Sequence, residues 1–125
     1  MKRNWDTIRE ILIKLEEMPS EKGSLHLSDF PPERNHEFSY HVELLIEAGL
    51  IHGEMSKVLG AHAHHFTASR MTWEGHEFLD AIRNDTIWEK TKNSFIKKGL
   101  SMTFDLVKSV AIDIAGGYIK STIGS

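Results

Sequence analysis

The chain begins with two stretches in which apolar side chains recur at helical spacing. The first contains apolar residues at steps of three and four, namely Trp5, Ile8, Leu12 and Leu15. This spacing predicts an amphipathic helix over 5–18, with Asn4 as its N-cap and Pro19 at its end. The second contains Phe38, Val42, Leu45 and Ala48. It predicts a helix over 35–48 that ends at Gly49, because glycine readily adopts the left-handed turn after a helix.

Shorter patterns lie between and after these helices. The segment 25–27 alternates apolar and polar residues as a short strand does, and Pro31-Pro32 limits any helix within 29–34 to a short turn. The segments 50–56 and 64–71 predict the two strands of a β-hairpin. Thr72 is the predicted N-cap of a helix that runs to Arg83. Thr86 and Glu89 have the capping-box spacing for a further helix that ends at Gly99.

The C-terminal segment carries an apolar stripe at steps of 4, 3, 4, 3 and 4. Its residues are Leu100, Phe104, Val107, Ala111, Ile114 and Tyr118. This heptad-like stripe has two interpretations: it closes the core of its own domain, or it pairs two chains as a homodimer. A second apolar edge consists of Leu106, Val110, Ile112, Ala115 and Ile119. Interrupting charges such as Asp105 and Lys108 argue against a membrane-spanning helix, which needs about 20 mostly apolar residues.

The order of these elements resembles that of a winged helix-turn-helix domain. The segment YHVELLIEAGLI at 40–51 is similar to the end of a recognition helix that runs into the first wing strand. The segment MTWEGHEFL at 71–79 resembles the Leu-Thr-x-x-Gly step that follows the last wing strand in many bacterial regulators. With MKRNWDTIR at 1–9 and FLDAIRNDTIW at 78–88, nearly the whole chain resembles a family of small uncharacterised bacterial and prophage proteins, classed as a domain of unknown function.

The resemblance implies a fold and a setting, but no activity. The expected fold is mainly α with a small β-hairpin. We expect a winged helix-turn-helix-like domain over 1–85 and a C-terminal helical extension over 86–125, which packs on its own chain or forms a homodimer. The expected setting is a prophage or another mobile element.

A winged helix that reads DNA would place the N-terminal end of its recognition helix in the major groove, with the wing near the backbone. The residues at these positions that can contact bases or phosphates are Arg34, Asn35, His36, Ser39, Tyr40 and Lys57. They make a DNA-binding transcriptional regulator of phage or mobile-element origin the leading hypothesis. A helix-turn-helix normally also has a full helix before the recognition helix, and Pro31-Pro32 compresses it here.

Charge favours a different partner. The chain has a formal net charge of -3, and residues 1–87 contain nine Lys and Arg against fifteen Asp and Glu. Such a balance suits a polyanion poorly, because nucleic-acid affinity comes mainly from cations that displace counterions from phosphates. The alternative hypothesis is a non-enzymatic protein–protein interaction module, in which the acidic surface around Glu43 and Glu47 meets a partner protein.

Composition narrows the chemistry further. The chain contains no cysteine, which excludes thiol catalysis, thiolate metal sites and disulfides and fits a cytoplasmic protein. Four histidines cluster on the predicted wing: His52, His62, His64 and His65. Two of them could share a zinc or nickel ion, but they match no established ligand spacing, so we favour exposed or hydrogen-bonded side chains and predict no metal site.

Nothing in the sequence points to catalysis. We find no nucleophile beside a base, no phosphate-binding glycine loop and no convincing carboxylate pair, so we predict no enzyme and no cofactor. The three tryptophans, Trp5, Trp73 and Trp88, are predicted as core anchors, because each occupies the apolar face of its own helix. The partners expected from sequence are therefore duplex DNA, a partner protein or a second copy of the chain, and not a membrane.

Overall fold

The computed structural model describes residues 1–57 and 63–123, and for residues 122 and 123 the backbone alone. Its helices are α1 (Trp5–Glu17), α2 (Asn35–Glu47), α3 (Trp73–Ile82), α4 (Asp85–Lys98) and α5 (Phe104–Ile123). Its strands are β1 (Leu25–His26), β2 (Ile51–Ser56) and β3 (His65–Met71). The predicted class, mainly α with a small β-hairpin, is confirmed. Most bounds agree with the sequence pattern within one or two residues.

The chain forms two compact units, Met1–His76 and Glu77–Ser125. In the first unit, α1 and α2 pack together and against the sheet. Most of the predicted stripe residues of both helices are buried, and Leu12, Phe38 and Val42 have no exposed surface. The exceptions are the two end residues, since Trp5 is half-buried and Ala48 is exposed. The predicted division into 1–85 and 86–125 stays a prediction.

The sheet is antiparallel, with β3 between β1 and β2. Leu25 of β1 pairs with Ala68, and Ile51 of β2 pairs with Met71. The register of the β2–β3 ladder shifts between His52 and Gly53, which marks a β-bulge. Glycine is required at this bulge, because a Cβ on Gly53 would come within 2.6 Å of the Thr67 carbonyl oxygen.

The segment before α2 is short, as its prolines predict. Two single turns of 3-10 helix, Leu27–Asp29 and Pro32–Arg34, occupy the place of a full helix. Asp29 accepts a hydrogen bond from the His26 N–H at 2.8 Å and forms an ion pair with Lys22 at 3.1 Å. These contacts, the backbone hydrogen bond foremost, hold the pKa of Asp29 below its usual value.

The second unit buries residues from each of its helices: Phe78, Leu79, Ile82, Trp88, Phe95, Val107 and Ala111. Phe78 and Phe104 lie with their ring centroids 4.8 Å apart.

The start of α4 differs from the prediction, since Asn84 is its N-cap in place of Thr86. The Asn84 side chain accepts the Ile87 N–H at 3.0 Å, so the helix already begins at Asp85.

One predicted core anchor is wrong. Trp88 is buried and Trp5 is half-buried, but Trp73 is 77% exposed. The buried face of α3 consists of Gly75, Phe78, Leu79 and Ile82. At about 100° per residue, position 73 lies on the opposite side of the helix.

Within residues 1–57 and 63–123, none of the helices combines the length and the apolar character that a membrane crossing requires.

Candidate functional site

The candidate site is the solvent-facing side of α2. His36, Tyr40, Glu43 and Glu47 follow one another at steps of four, three and four, so they share one side of the helix. The opposite side carries Phe38, Val42 and Leu45, all buried in the first unit. The core therefore fixes the orientation of α2 and directs the stripe from His36 to Glu47 outward.

Arg34 lies just before α2 and is held by two carboxylates. Its Nη1 and Nη2 donate to the two carboxylate oxygens of Glu10 in α1 at 3.0 and 3.1 Å. Its Nε and Nη2 also donate to Glu37, at 2.9 and 2.6 Å. The guanidinium carbon lies 4.3 Å from the centroid of the Phe38 ring. The hydrogen bonds to Glu37 and Glu10 raise the pKa of Arg34 above its ordinary value.

Glu37 connects Arg34 to the start of α1. Besides binding Arg34, its Oε2 accepts the hydroxyl of Thr7, a buried residue, at 2.5 Å. The hydrogen bonds from Arg34, and after them the one from Thr7, lower the pKa of Glu37 to about 2. Arg34, Glu10, Glu37 and Thr7 thus form a polar clamp that joins α1 to α2.

A buried histidine completes this junction. His41 is 1% exposed, and its Nε2 accepts the backbone N–H of Asn4 at 2.8 Å. Its Nδ1 lies 2.7 Å from the Glu37 carbonyl oxygen. Because a carbonyl can only accept, Nδ1 carries the proton and donates, which assigns the tautomer of this imidazole. Both ring nitrogens are therefore engaged inside the protein.

Ser39 attaches α2 to the start of β3. Its hydroxyl donates to the His64 carbonyl oxygen at 2.7 Å and accepts the His64 N–H at 3.1 Å. The residue is 4% exposed. In this conformation Ser39 is a structural contact between helix and hairpin.

Lys57, the predicted backbone contact of the wing, reaches back to α2. Its ammonium forms an ion pair with Glu43 at 2.5 Å. This hydrogen bond to Glu43, with a smaller contribution from the charge of Glu47, raises the pKa of Lys57. Lys57 thereby neutralises part of the acidic surface of α2.

The other three predicted site residues are Asn35, His36 and Tyr40. Asn35 is the first residue of α2 and is half-buried, and His36 is exposed. Tyr40 is half-buried and stands edge-on to His41, with ring centroids 5.4 Å apart. Contact of the six predicted residues with DNA stays a prediction.

The surface as a whole is acidic. We call it the α2 surface and define it by two cations and five carboxylates: Arg34, Lys57, Glu10, Glu33, Glu37, Glu43 and Glu47. Both cations are bound to carboxylates of the same surface. Its formal charge is therefore -3, and its exposed carboxylates are Glu10, which is bound to Arg34, Glu33 and Glu47.

Comparison with known sequences places the chain in a family. Residues 2–101 match the family described as "Hypothetical protein (DUF2513)". The chain belongs to the DUF2513 family. It is also 43% identical over 111 residues to a Haemophilus influenzae protein described as "Uncharacterized protein". This match covers 89% of the chain and 92% of that relative. No solved structure matches the chain. The predicted resemblance to a small uncharacterised family is confirmed.

The predicted oligomerisation stripe of this DUF2513 protein is largely packed within its own second unit. Val107 and Ala111, at its centre, have no exposed surface, and Phe104 and Ile114 are half-buried. Leu100 and Tyr118, at its ends, are exposed by 56% and 41%. The sequence left two interpretations of this stripe, packing within its own chain and pairing of two chains. The middle of the stripe packs within its own unit.

The wing histidines of the DUF2513 chain form no metal-binding cluster in the part that the structure describes. Over residues 1–57 and 63–123, no three or more His, Asp or Glu side chains are arranged to hold a metal ion. His62, one of the four predicted candidates, lies outside the described residues.

The polar clamp is the feature that sequence reasoning missed. Only the Arg34–Glu37 pair has a sequence signature, the spacing of three residues typical of helical ion pairs. Glu10 and Thr7 are 24 and 30 residues from their partners. Their contacts depend on how α1 packs against α2, which no local pattern of the DUF2513 sequence shows.

Proposed function

We propose that this DUF2513 protein is a non-enzymatic interaction module whose α2 surface binds a basic segment of a partner protein. One observation carries the proposal: Arg34 and Lys57, the cations nominated for phosphate contact, are both bound to carboxylates of that surface. The face is thereby complementary to lysine and arginine side chains.

The geometry at Arg34 makes phosphate contact costly. Four N–H···O bonds, at 2.6 to 3.1 Å, link its guanidinium to Glu10 and Glu37. A DNA phosphate would have to replace these bonds and approach two carboxylates at the same time. Nucleic-acid affinity rises with the number of phosphates that cations neutralise. The α2 surface contains only two cations and five carboxylates, so it suits a phosphate backbone poorly.

A basic segment would meet a favourable surface instead. Glu33 and Glu47 are exposed and available to cationic side chains from a partner. Tyr40 offers a half-buried aromatic ring on the same side of α2 as Glu47, and lysine and arginine bind over such rings. Charge complementarity of this kind gives specificity and fast association, while the buried side of α2 keeps the surface rigid.

The second candidate function is that of a DNA-binding transcriptional regulator of phage or mobile-element origin. The order α1, β1, short turns, α2, β2, β3 favours it, because α2 then stands in the position of a recognition helix followed by a wing. Asn35, His36 and Tyr40 would be the base-reading side chains. The cytoplasmic location and the prophage setting stay predictions.

Two labelled probes separate these functions: a ten-residue oligolysine peptide and a random DNA duplex, each followed by fluorescence anisotropy at low and physiological salt. We expect the peptide to bind and the duplex not to bind. Replacing Glu33→Gln and Glu47→Gln together should weaken peptide binding roughly tenfold, since each exposed ion pair contributes up to about 1 kcal/mol. The control, Glu17→Gln with Glu21→Gln, makes the same charge change elsewhere and should leave binding nearly unchanged.

Two results would overturn the interaction module. Duplex binding that falls steeply with salt and strengthens when Glu33 and Glu47 are neutralised would establish a phosphate-contacting surface and favour the regulator. Failure of both probes to bind at low salt would remove the α2 surface from the function altogether.

A further inference from the structure

Helix α5 has a second side that its own chain leaves uncovered. Asp105, Ser109, Ile112, Gly116 and Ile119 follow one another at steps of 4, 3, 4 and 3. These steps keep the five residues on one side of the helix, which we call the α5 outer face. It lies apart from the inward stripe, whose central residues are fully buried.

The α5 outer face is apolar and exposed at its centre. Ile112 and Ile119 are 52% and 59% exposed. Between them stands Gly116, where an added Cβ would meet nothing within 4 Å. A helix without a partner gains nothing from glycine at such a position, whereas small residues such as Ser109 and Gly116 let a second helix approach closely.

The charges at the two ends of this face indicate which helix could cover it. Asp105 lies in the first turn of α5 and Lys120 in the last, and both side chains are exposed. Two copies of α5 side by side and parallel would bring Asp105 against the partner's Asp105. In the antiparallel arrangement, Asp105 instead lies near the partner's Lys120, and the two helix dipoles also oppose each other.

We propose that two copies of the chain associate through their α5 outer faces in antiparallel orientation. Ile112 and Ile119 pack against α5 of the partner, Ser109 and Gly116 permit close approach, and Asp105 pairs with Lys120 of the partner subunit. The two-fold axis crosses the middle of α5, so the interface is self-complementary and closes as a dimer. This dimer uses a different side of α5 from the stripe predicted by sequence, and it does not depend on what the α2 surface binds.

Sedimentation equilibrium of the full chain tests the surface. We expect a dimer at tens of micromolar, and a monomer when Ile112 and Ile119 are both replaced by Glu. The matched control is Ile96→Glu on α4, since Ile96 is 75% exposed and lies outside the α5 outer face. It should remain dimeric. Circular dichroism of each variant separates loss of association from loss of folding.

Charge reversal tests the orientation. Asp105→Lys alone and Lys120→Asp alone each place like charges together at both ends of the antiparallel dimer, and each should weaken association roughly tenfold. The double variant restores the opposite pairing and should return to the strength of the unmodified chain. A parallel dimer would show no such rescue.

The absence of cysteine gives a second test of orientation. A chain with Asp105→Cys and Lys120→Cys should form a disulfide-linked dimer on mild oxidation, because a disulfide requires Cα atoms within about 7 Å. The single variant Asp105→Cys should not, since the two positions lie at opposite ends of the dimer. Cross-linking of this single variant, a monomeric unmodified chain, or a dimer that survives the Ile112 and Ile119 changes would each overturn the proposal.

Discussion

Glu37 shows how a single carboxylate can join three segments of the chain. It binds Arg34 from the preceding turn and Thr7 from α1, and its backbone carbonyl accepts a hydrogen bond from His41 Nδ1. Because these contacts lower its pKa to about 2, the folded state favours its ionised form. The stabilisation is present above the unfolded pKa of about 4.3 and disappears as the pH falls towards 2.

Replacing Glu37→Gln should therefore reduce stability at neutral pH and flatten its acid dependence. The amide leaves the Arg34 charge with weaker partners, and we expect a loss of about 1–2 kcal/mol in the free energy of unfolding. Urea denaturation between pH 7 and pH 2 measures both effects. The control Glu33→Gln, on an exposed side chain in the turn before α2, should change neither. An unchanged pH dependence in the Glu37 variant would contradict the assigned pKa.

Trp73 and Trp88 make a second comparison at the scale of residues. Trp73 is 77% exposed and Trp88 is 2% exposed. Trp88→Ala should cost about 3–5 kcal/mol through the cavity it creates, whereas Trp73→Ala should cost less than about 0.5 kcal/mol. Thermal unfolding measures the difference. Similar losses for both variants would show that Trp73 is packed in solution.

At the scale of elements, Gly75 explains how α3 packs so closely on the segment before β2. A Cβ on Gly75 would overlap the Leu50 carbonyl oxygen, which also accepts the Thr72 N–H at 3.0 Å. Only glycine lets the first turn of α3 approach this carbonyl. The Gly residue in the segment MTWEGHEFL therefore has a steric role.

Gly75→Ala should destabilise the protein by about 2–3 kcal/mol, because the backbone must move to relieve the overlap. Gly117→Ala is its opposite: an added Cβ meets nothing within 4 Å, and alanine favours the helix by up to about 1 kcal/mol. Denaturant midpoints of the two variants should thus shift in opposite directions. A stable Gly75→Ala variant would mean that α3 does not pack as described.

The elements themselves follow from local pattern, while their contacts do not. The spacing of Ile8, Leu12 and Leu15 predicts α1, and Gly49 marks the end of α2, with φ of 74°. Trp73 was misplaced because it was grouped with Phe78 and Leu79 by its apolar character, although steps of five and six residues put it on another side of α3. Asn84 replaced Thr86 as cap because both residue types serve this role and spacing alone does not choose.

The candidate site was predictable in position and in its acidic character, but not in its contacts. Arg34, Ser39 and Lys57 do lie on or beside α2. Their partners Glu10 and His64 are distant in sequence, 24 residues from Arg34 and 25 from Ser39. Contacts over such separations depend on tertiary packing, so the sequence could not show that Arg34 and Ser39 are already bound within the protein.

At the scale of the whole molecule, self-association couples stability to concentration. If two chains fold as one dimer, a hundredfold rise in protein concentration adds about 2.7 kcal/mol, which corresponds to roughly 5–10 °C in Tm. Calorimetry over this range checks the expectation. The variant with Ile112→Glu and Ile119→Glu should have a Tm that is independent of concentration, and an unmodified chain with the same behaviour would argue against association.

The bulge between His52 and Gly53 has a consequence for aggregation. An open strand edge can recruit strands from other chains, and natural proteins discourage this with bulges, charges or very short edge strands. As far as the structure describes the sheet, all three devices are present: β1 has two residues, β2 carries the charged Glu54, and the β2–β3 ladder is interrupted by the bulge, whose extra residue is Ser69 of β3. We therefore expect the protein to resist amyloid-like growth through the edges of its sheet.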